Sequence, residues 1–423
     1  MSLFYIYIST KLKMATIRVK FRPSTIPDKE GTIFYQVIHK RKCRQIHPDY
    51  HVFSHEWDEN RSDLVIDNKS NRRSFLISVK GQIQSDIDRL SKIIHDLDQR
   101  IIEYSVDDII VKFDQRGKEC SLSNFMKKII SRLKENGKFR TSETYTSALK
   151  SFMSFIQDMK HQGRIQSDDI LLDSLNVEIM EAYESWQKKR GNTRNTVSFY
   201  TRILRATYNR AVRDGLVLHD NKPFRTVYTG IDKTVRRALP IKLIKAIRDL
   251  DLRDIPELDY ARDMFILSFM LRGMSFIDMA FLRNSDLVDG QIIYRRRKTG
   301  QQLIIGWTKE MQAIVDKYPK NQSIYLLPII RRSGLKERYV YRNVAYNINH
   351  NLKRIAKKVG IAVPLTLYVA RHSWASAAKS KGIPLSVISE GMGHNSETTT
   401  RIYLTGLDTS TIDDANQVIL SCL

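Results

Sequence analysis

Apolar and polar residues alternate along Thr16-Ile-Arg-Val-Lys-Phe21, and β-branched and aromatic residues crowd Thr32 to His39. A period of two over such runs predicts strands. Pro27-Asp28-Lys29-Glu30-Gly31 between them has turn chemistry. A small sheet is therefore expected, with Arg18, Lys20 and Arg22 on one face, followed by the cluster Lys40-Arg41-Lys42 and by Arg44. From Ser78 to Tyr104 the period changes. Ile83, Ile87, Leu90, Ile93, Ile94, Leu97 and Ile101 recur at helical intervals and predict one long amphipathic helix leading to a second domain. That domain starts near Ser121 and reads as helical throughout. Its stripes are Phe125, Ile129, Ile130 and Leu133, then Tyr145, Leu149, Phe152, Phe155 and Ile156, then a helix beginning at Val177 to Trp186. A fourth helix, Asn195 to Val212, turns Tyr200, Ile203, Leu204, Thr207, Tyr208 and Ala211 inward and leaves Arg202 and Arg205 on its other face, with Arg194 just before it. Gly215 to Val235, with Pro223 and Gly230, reads as a linker. The remainder is mostly helical but contains a strand pair, Gln291 to Tyr294 and Gln302 to Gly306, flanking the basic run Arg295-Arg296-Arg297-Lys298-Thr299-Gly300.

The expected architecture is thus multidomain and mainly α: a β-rich domain over 14–77, a helical connector over 78–118, an all-α domain over 119–218, and a mixed α+β domain with a small sheet over 236–423. A length of 423 residues agrees, since single cores rarely grow so large. The charge narrows the partner. Lys and Arg number 70 against 46 acidic residues, a net of +24, and so basic a chain calls for a polyanion, nucleic acid first. No apolar run is long enough for a bilayer, which argues against membrane as that partner. On these grounds the basic sheet face is equally a groove reader or a solvated, charge-protected edge, and the arginines near 194–205 alone would read as helix solvation.

Cys43, Cys120 and Cys422 lie far apart without paired spacing, which fits a reducing cytoplasm rather than a disulfide framework. The patch Leu3 to Ile8 lacks the basic flank and cleavage site of a signal peptide, and Met14 reads well as a start, which makes residues 1–13 an upstream extension. Cys43, His47, His51 and His55 recur every four residues, a spacing that would align metal ligands on a helix. Pro48 and the strand-rich surroundings argue against that helix, so no metal site is expected.

The third domain carries the distinctive chemistry. In Leu367-Tyr368-Val369-Ala370-Arg371-His372-Ser373-Trp374-Ala375, Arg371 stands between apolar neighbours, where an arginine is costly unless it is paired with an anion. Gly391-Met392-Gly393-His394 follows, and nine residues beyond His394 stands Tyr403 within Thr398-Thr399-Thr400-Arg401-Ile402-Tyr403. An arginine, a lysine on a hairpin turn, an Arg-His-Ser motif, a Gly-His pair and a tyrosine, in this order, resemble the tyrosine recombinase (phage integrase) family. The likeness covers the third domain in detail and the helical domain in outline. The sheet-bearing segment resembles the arm-type DNA-binding domain of mobile-element integrases, those of Bacteroides-type conjugative elements in particular.

The resemblance implies a site-specific recombinase that integrates, excises or inverts a mobile DNA segment. Tyr403 would attack a backbone phosphorus and form a 3′-phosphotyrosine. Arg272 and Arg371 would grip the non-bridging oxygens, a task suited to a planar, permanently charged fork. Lys298 would protonate the departing 5′-oxygen, and His394 would hydrogen-bond the phosphate or help to hold it. No cofactor and no metal ion is implied. The partners implied are double-stranded DNA at core and arm sites, a homotetramer across two sites, and an excision or host bending factor, in the cytoplasm on the nucleoid. Basic residues expected on DNA are Arg18, Lys20, Arg22, Lys40, Arg41, Lys42, Arg194, Arg202, Arg205, Arg295, Arg296 and Arg297.

Two departures from the family pattern stand out. Tyr368 occupies the place, three residues before the second arginine, where a histidine is usual, and a phenol is a poor base at neutral pH. The base for Tyr403 is therefore open between His394 and the phosphate. Three residues after Arg272 the family commonly has an acid; here Ser275 stands there and Asp278 is the nearest acid, expected to orient local structure. His372 reads as a buried structural histidine. The segment Thr411 to Leu420 reads as a short helix docking on its own domain, or by resemblance on a neighbouring protomer. A non-catalytic DNA-binding protein of this fold and a topoisomerase-like strand cutter are the competing readings. The five-part constellation argues against the first and the separate sheet domain against the second.

Overall fold

The computed structural model describes residues 15–99, 103–165, 167–218, 220–232, 238–319, 321–332, 336–404, 416, 417 and 419–421; Ser74, Ile402 and Tyr403 are described by backbone position alone. The expected upstream extension, the end of the linker at Val235 and most of the C-terminal segment lie outside the described residues. The chain divides into two units at residues 233 and 234.

In the first unit, β1 (Thr16–Arg22), β2 (Gly31–His39) and β3 (Lys42–Ile46) form an antiparallel sheet, with β4 (His51–Val52) paired to the start of β2. β5 (Trp57–Asp58) and β6 (Asp63–Leu64) make a separate ribbon. Burial alternates strictly along β2, as a sheet covered on one side requires. Ile33, Tyr35 and Val37 point into a core whose other layer is α1 (Arg73–Gln99) and α2 (Val106–Cys120), through Leu76, Val79, Leu90, Ile93, Ile109 and Phe113. The helical stretch expected as a connector is thus half of the N-terminal core. Asp86 of α1 fastens the layers: it accepts from the Tyr35 hydroxyl at 2.9 Å, the Tyr50 hydroxyl at 3.1 Å and Arg89 at 2.6 Å. Burial pushes the Tyr50 phenol up, and the Asp86 charge adds to it.

The same unit continues with α3 (Leu122–Glu135), α4 (Phe139–His161), α5 (Val177–Lys189) and α6 (Arg194–Arg213). They enclose a second core, in which Phe152, Phe155, Tyr183, Leu204 and Tyr208 are fully or almost fully buried. Cys43, His47, His51 and His55 fall on β3, a loop, β4 and a short 3₁₀ turn; among the described residues no cluster of metal-ligand type forms. Nor is any helix among them long and apolar enough to cross a membrane.

The second unit is built around α8 (Pro256–Met270), whose Leu258, Ala261, Met264, Phe265, Ile266 and Leu267 are buried on successive faces. A helix apolar all round belongs at the centre of a domain. α7 (Ile241–Arg248) precedes it and α9 (Phe276–Ala280) follows. Then come β7 (Leu287–Val288), β8 (Gln291–Arg295) and β9 (Gln302–Gly306), a three-stranded antiparallel sheet in that order. α10 (Lys309–Asp316), α11 (Glu337–Lys358), α12 (Leu367–Ser380), α13 (Leu385–Gly391) and α14 (Glu397–Leu404) complete it. Asp263, buried in α8, receives Lys317 at 2.5 Å and the Tyr318 hydroxyl at 2.8 Å, which fixes the end of α10. Ser373 of α12 accepts from the amide of Leu239 at 2.8 Å and so pins the start of the unit.

Candidate active site

The turn after α8 sets the site. Arg272 and Gly273 follow one another in the left-handed region, at φ 57° and 71°. Arginine rarely adopts that conformation, and such strain concentrates at functional positions. At Gly273 nothing larger fits: a Cβ there would stand 2.6 Å from Cα of Arg371. This close approach lets α12 bring Arg371 against the turn. Arg371 is 4 % exposed. Its Nη1 donates to the Gly273 carbonyl at 2.8 Å, and its Nη2 donates to the Met392 carbonyl at 2.6 Å and meets His394 Nε2 at 2.9 Å. These contacts fix the orientation of the guanidinium.

That geometry decides the state of His394. A guanidinium only donates, so Nε2 accepts, and the imidazole proton sits on Nδ1, 2.7 Å from Oγ1 of Thr400. Burial, then the charges of Arg371, Arg296 and Lys298, push the histidine down to about 4. It is therefore neutral at pH 7. Thr400 is fully buried in α14, three residues before Tyr403. The Tyr403 side chain is outside the described residues.

The β8–β9 hairpin meets the same point. Gly393, at φ 64°, leaves no room for a Cβ, which would stand 2.8 Å from Leu303 Cδ1 and 3.1 Å from Arg296 Cδ. Its carbonyl accepts from Arg296 and, at 3.4 Å, from the Thr299 hydroxyl. Arg296, expected on DNA, is instead 6 % exposed and is engaged in this clamp. Arg297 is exposed and lies over the Phe281 ring at 4.1 Å, and Arg295 is exposed and donates to the Gly300 carbonyl at 3.2 Å. Lys298 is exposed at the hairpin tip, and its charge acts on His394. Among the described residues neither Lys298 nor Arg272 has a hydrogen-bond or ion-pair partner. Arg272 Cδ lies 3.8 Å from where a Cβ on Gly391 would stand, which puts it beside the end of α13. Tyr368 is 49 % exposed and packs edge-on against His372 at 4.8 Å; His372 is half-buried rather than buried.

In the first unit the other basic candidates fall in two places. On the uncovered sheet face, register aligns Arg18 with Gln36 and Gln36 with Gln45, and Lys20 with Phe34. Arg22 lies over the Phe34 ring at 5.3 Å. Lys40 and Arg41 form the two-residue turn to Lys42, both left-handed at φ 45° and 65°. Such turns favour Asn and Gly, so two long cations there carry backbone strain. Lys40 also pairs with Glu103 at 2.9 Å. Arg194 opens α6, stacks over Tyr228 at 3.8 Å and pairs with Asp232 at 3.6 Å. Arg202 and Arg205 follow on that helix, Arg205 donating to the Thr229 hydroxyl at 3.0 Å. Thr400, Gln36 and Gln45 were not singled out by sequence. The strand alternation could have yielded the two glutamines, whereas Thr400 carries no local signal.

Two family models match in tandem: the "Phage integrase SAM-like domain" over residues 121–227 and the "Phage integrase family" over residues 243–409. The chain belongs to the tyrosine recombinase (phage integrase) family. The second match spans every catalytic candidate from Arg272 to Tyr403. Among tyrosine recombinases, XerA of Saccharolobus solfataricus is 24 % identical over 273 residues, covering 62 % of this chain and 81 % of the relative. XerD of Listeria monocytogenes is 25 % identical over 289 residues, covering 62 % and 86 %. In fold the chain is similar to a lambda integrase dimer bound to a COC′ core site, with TM-score 0.51 and 16 % identity over 92 % of this chain and 98 % of that one. It is similar also to the Tn1549 transposon integrase in complex with a circular intermediate DNA, with TM-score 0.50 and 14 % identity over 72 % and 100 %.

Proposed function

We propose that this family member is a site-specific DNA recombinase that cuts and rejoins DNA through a 3′-phosphotyrosine at Tyr403, moving or inverting a mobile segment as a tetramer across two sites. The observation that carries the reading is the convergence on one point of Arg371, His394 and the hairpin that bears Lys298, beside the strained turn at Arg272. The phenol oxygen of Tyr403 forms a bond to phosphorus as the bond to the 5′-oxygen breaks. Lys298 gives a proton to that oxygen, and the phenol loses one. The ester is conserved, so rejoining runs the same steps backwards. Arg272 and Arg371 stabilise the charge that builds on the non-bridging oxygens, where a single lost donor typically costs about 10²–10³ in rate. Neutral His394, tied through Nδ1 to Thr400 and accepting at Nε2, has no proton to give the phosphate and acts by orienting Arg371; its low basicity in the DNA-free site favours the phosphate as acceptor of the phenol proton. Tyr368 borders the site as an orienting group. The uncovered N-terminal sheet serves as the arm-site reader, the α6 arginines hold core DNA, and an excision or host bending factor directs the outcome.

A nicked suicide duplex carrying an end of the mobile segment, resolved on a denaturing gel, tests this. A covalent protein–DNA band is expected, absent with Tyr403→Phe. An adduct that persists in the variant overturns the nucleophile.

A further inference from the structure

Asp278 is bonded to the hairpin that carries Lys298, and the proposed mechanism leaves it unused. It is 3 % exposed, and among the described residues its partners include no cation. Oδ2 accepts from the Ser275 hydroxyl at 2.6 Å, and Oδ1 accepts from the backbone amide of Arg297 at 2.9 Å. A buried carboxylate bonded only to a hydroxyl and an amide is costly in a core and is retained for what it orients.

What it orients is the residue before Lys298. The hairpin closes through Arg296: its amide donates to the Gln301 carbonyl at 2.8 Å, and its carbonyl accepts from Gly300 at 2.7 Å. Arg297, Lys298 and Thr299 make up the tip inside that closure, where amides have no strand partner. Asp278 takes the first of these amides. The Arg297 guanidinium lies over Phe281, the residue that ends α9, so α9 and its C-cap grip the tip at two points. On the far side the Thr299 hydroxyl donates to the Gly393 carbonyl at 3.4 Å. Lys298 is thereby bracketed, anchored one residue before by Asp278 and one residue after by the segment that carries His394. A long, exposed side chain gains a defined origin by this means, and a proton donor must start within hydrogen-bond reach of its acceptor.

We infer that Asp278 is a positioning residue that holds the β8–β9 tip so that Lys298 reaches the 5′-oxygen leaving group. The inference rests on the assignment of Lys298 as general acid. It concerns proton delivery, because among the described residues Asp278 has no hydrogen bond or ion pair with Arg371 or His394.

The test compares two suicide duplexes, one with an ordinary scissile phosphate and one with sulfur replacing the bridging 5′-oxygen. A thiolate departs without a proton, so the sulfur substrate dispenses with the acid. On the ordinary duplex, Lys298→Ala is expected to slow adduct formation by about 10²–10⁴, the usual worth of a general acid, and Asp278→Ala by at least about tenfold. On the sulfur duplex both are expected within about threefold of the unmodified protein. Asp278→Asn, which keeps an acceptor for the Arg297 amide, is expected to recover most of the loss. If Asp278→Ala is slow on both substrates, through misfolding or through another role, the inference is overturned. If Lys298→Ala is rescued by sulfur and Asp278→Ala is not, the inference fails alone. If Lys298→Ala is not rescued, the assignment of Lys298 fails.

Discussion

Acidification tests the proton assigned to His394. In the folded chain its imidazole is pushed down to about 4 from an ordinary 6.5, by burial first and then by Arg371, Arg296 and Lys298. An unfolded chain protonates this side chain near its ordinary value, so between the two values the unfolded state binds a proton that the folded state refuses. Stability from this group is therefore complete above about 6.5, declines as pH falls, and declines no further below about 4. The gap between 6.5 and about 4, at about 1.4 kcal/mol per pH unit, sets the loss at roughly 3 kcal/mol. Urea unfolding of the full chain measures it, in a Trp57→Phe, Trp186→Phe background so that the fluorescence of Trp307 and Trp374 follows the second unit. The unaltered His394 protein should lose about 3 kcal/mol more than His394→Gln between pH 7 and pH 4. In parallel, ¹⁵N-histidine spectra should show the Nδ1-protonated neutral ring persisting to about pH 4. An equal pH dependence in both proteins, or a ring that titrates near 6.5 when folded, refutes the assignment.

Two other substitutions probe the backbone and the sheet. Gly273→Ala adds a left-handed alanine and a methyl pressed on Arg371, together costing about 2–4 kcal/mol of stability; a thermal melt unchanged by the variant would contradict the close approach. On the N-terminal sheet, Lys20→Ala and Lys42→Ala should each lower the slope of log K against log salt by about 0.9 on any duplex. Gln36→Ala and Gln45→Ala should leave that slope unchanged and cost about 1–3 kcal/mol of discrimination between arm sequences. Binding isotherms on cognate and scrambled duplexes would show it, and equal losses on both would rule out base reading by the glutamines.

The helices, the first sheet and the β8–β9 hairpin were legible because each is written in a local period. The order from Arg272 to Tyr403 was legible because spacing along the chain is itself the signal. What escaped depends on segments far apart in sequence. Thr400 matters only because α14 folds back on His394, and Arg296 looked like its exposed neighbours until Gly393 took its guanidinium. The Ser78–Tyr104 helix read as a connector because periodicity reveals an apolar face without naming what covers it. His372, expected to be buried, is half-exposed beside Tyr368, because the two share the one side of α12 that the surrounding domain leaves open.

The anchoring of Arg371 on the Gly273 and Met392 carbonyls has an evolutionary consequence. Main-chain acceptors are encoded by no particular codon, so side-chain replacement at residue 392 leaves the acceptor in place. The mutational target that could unseat the arginine shrinks to His394 and the positions that shape the backbone path, Gly273 and Gly393 foremost. Drift in the other surrounding side chains should be tolerated more widely than change at those positions.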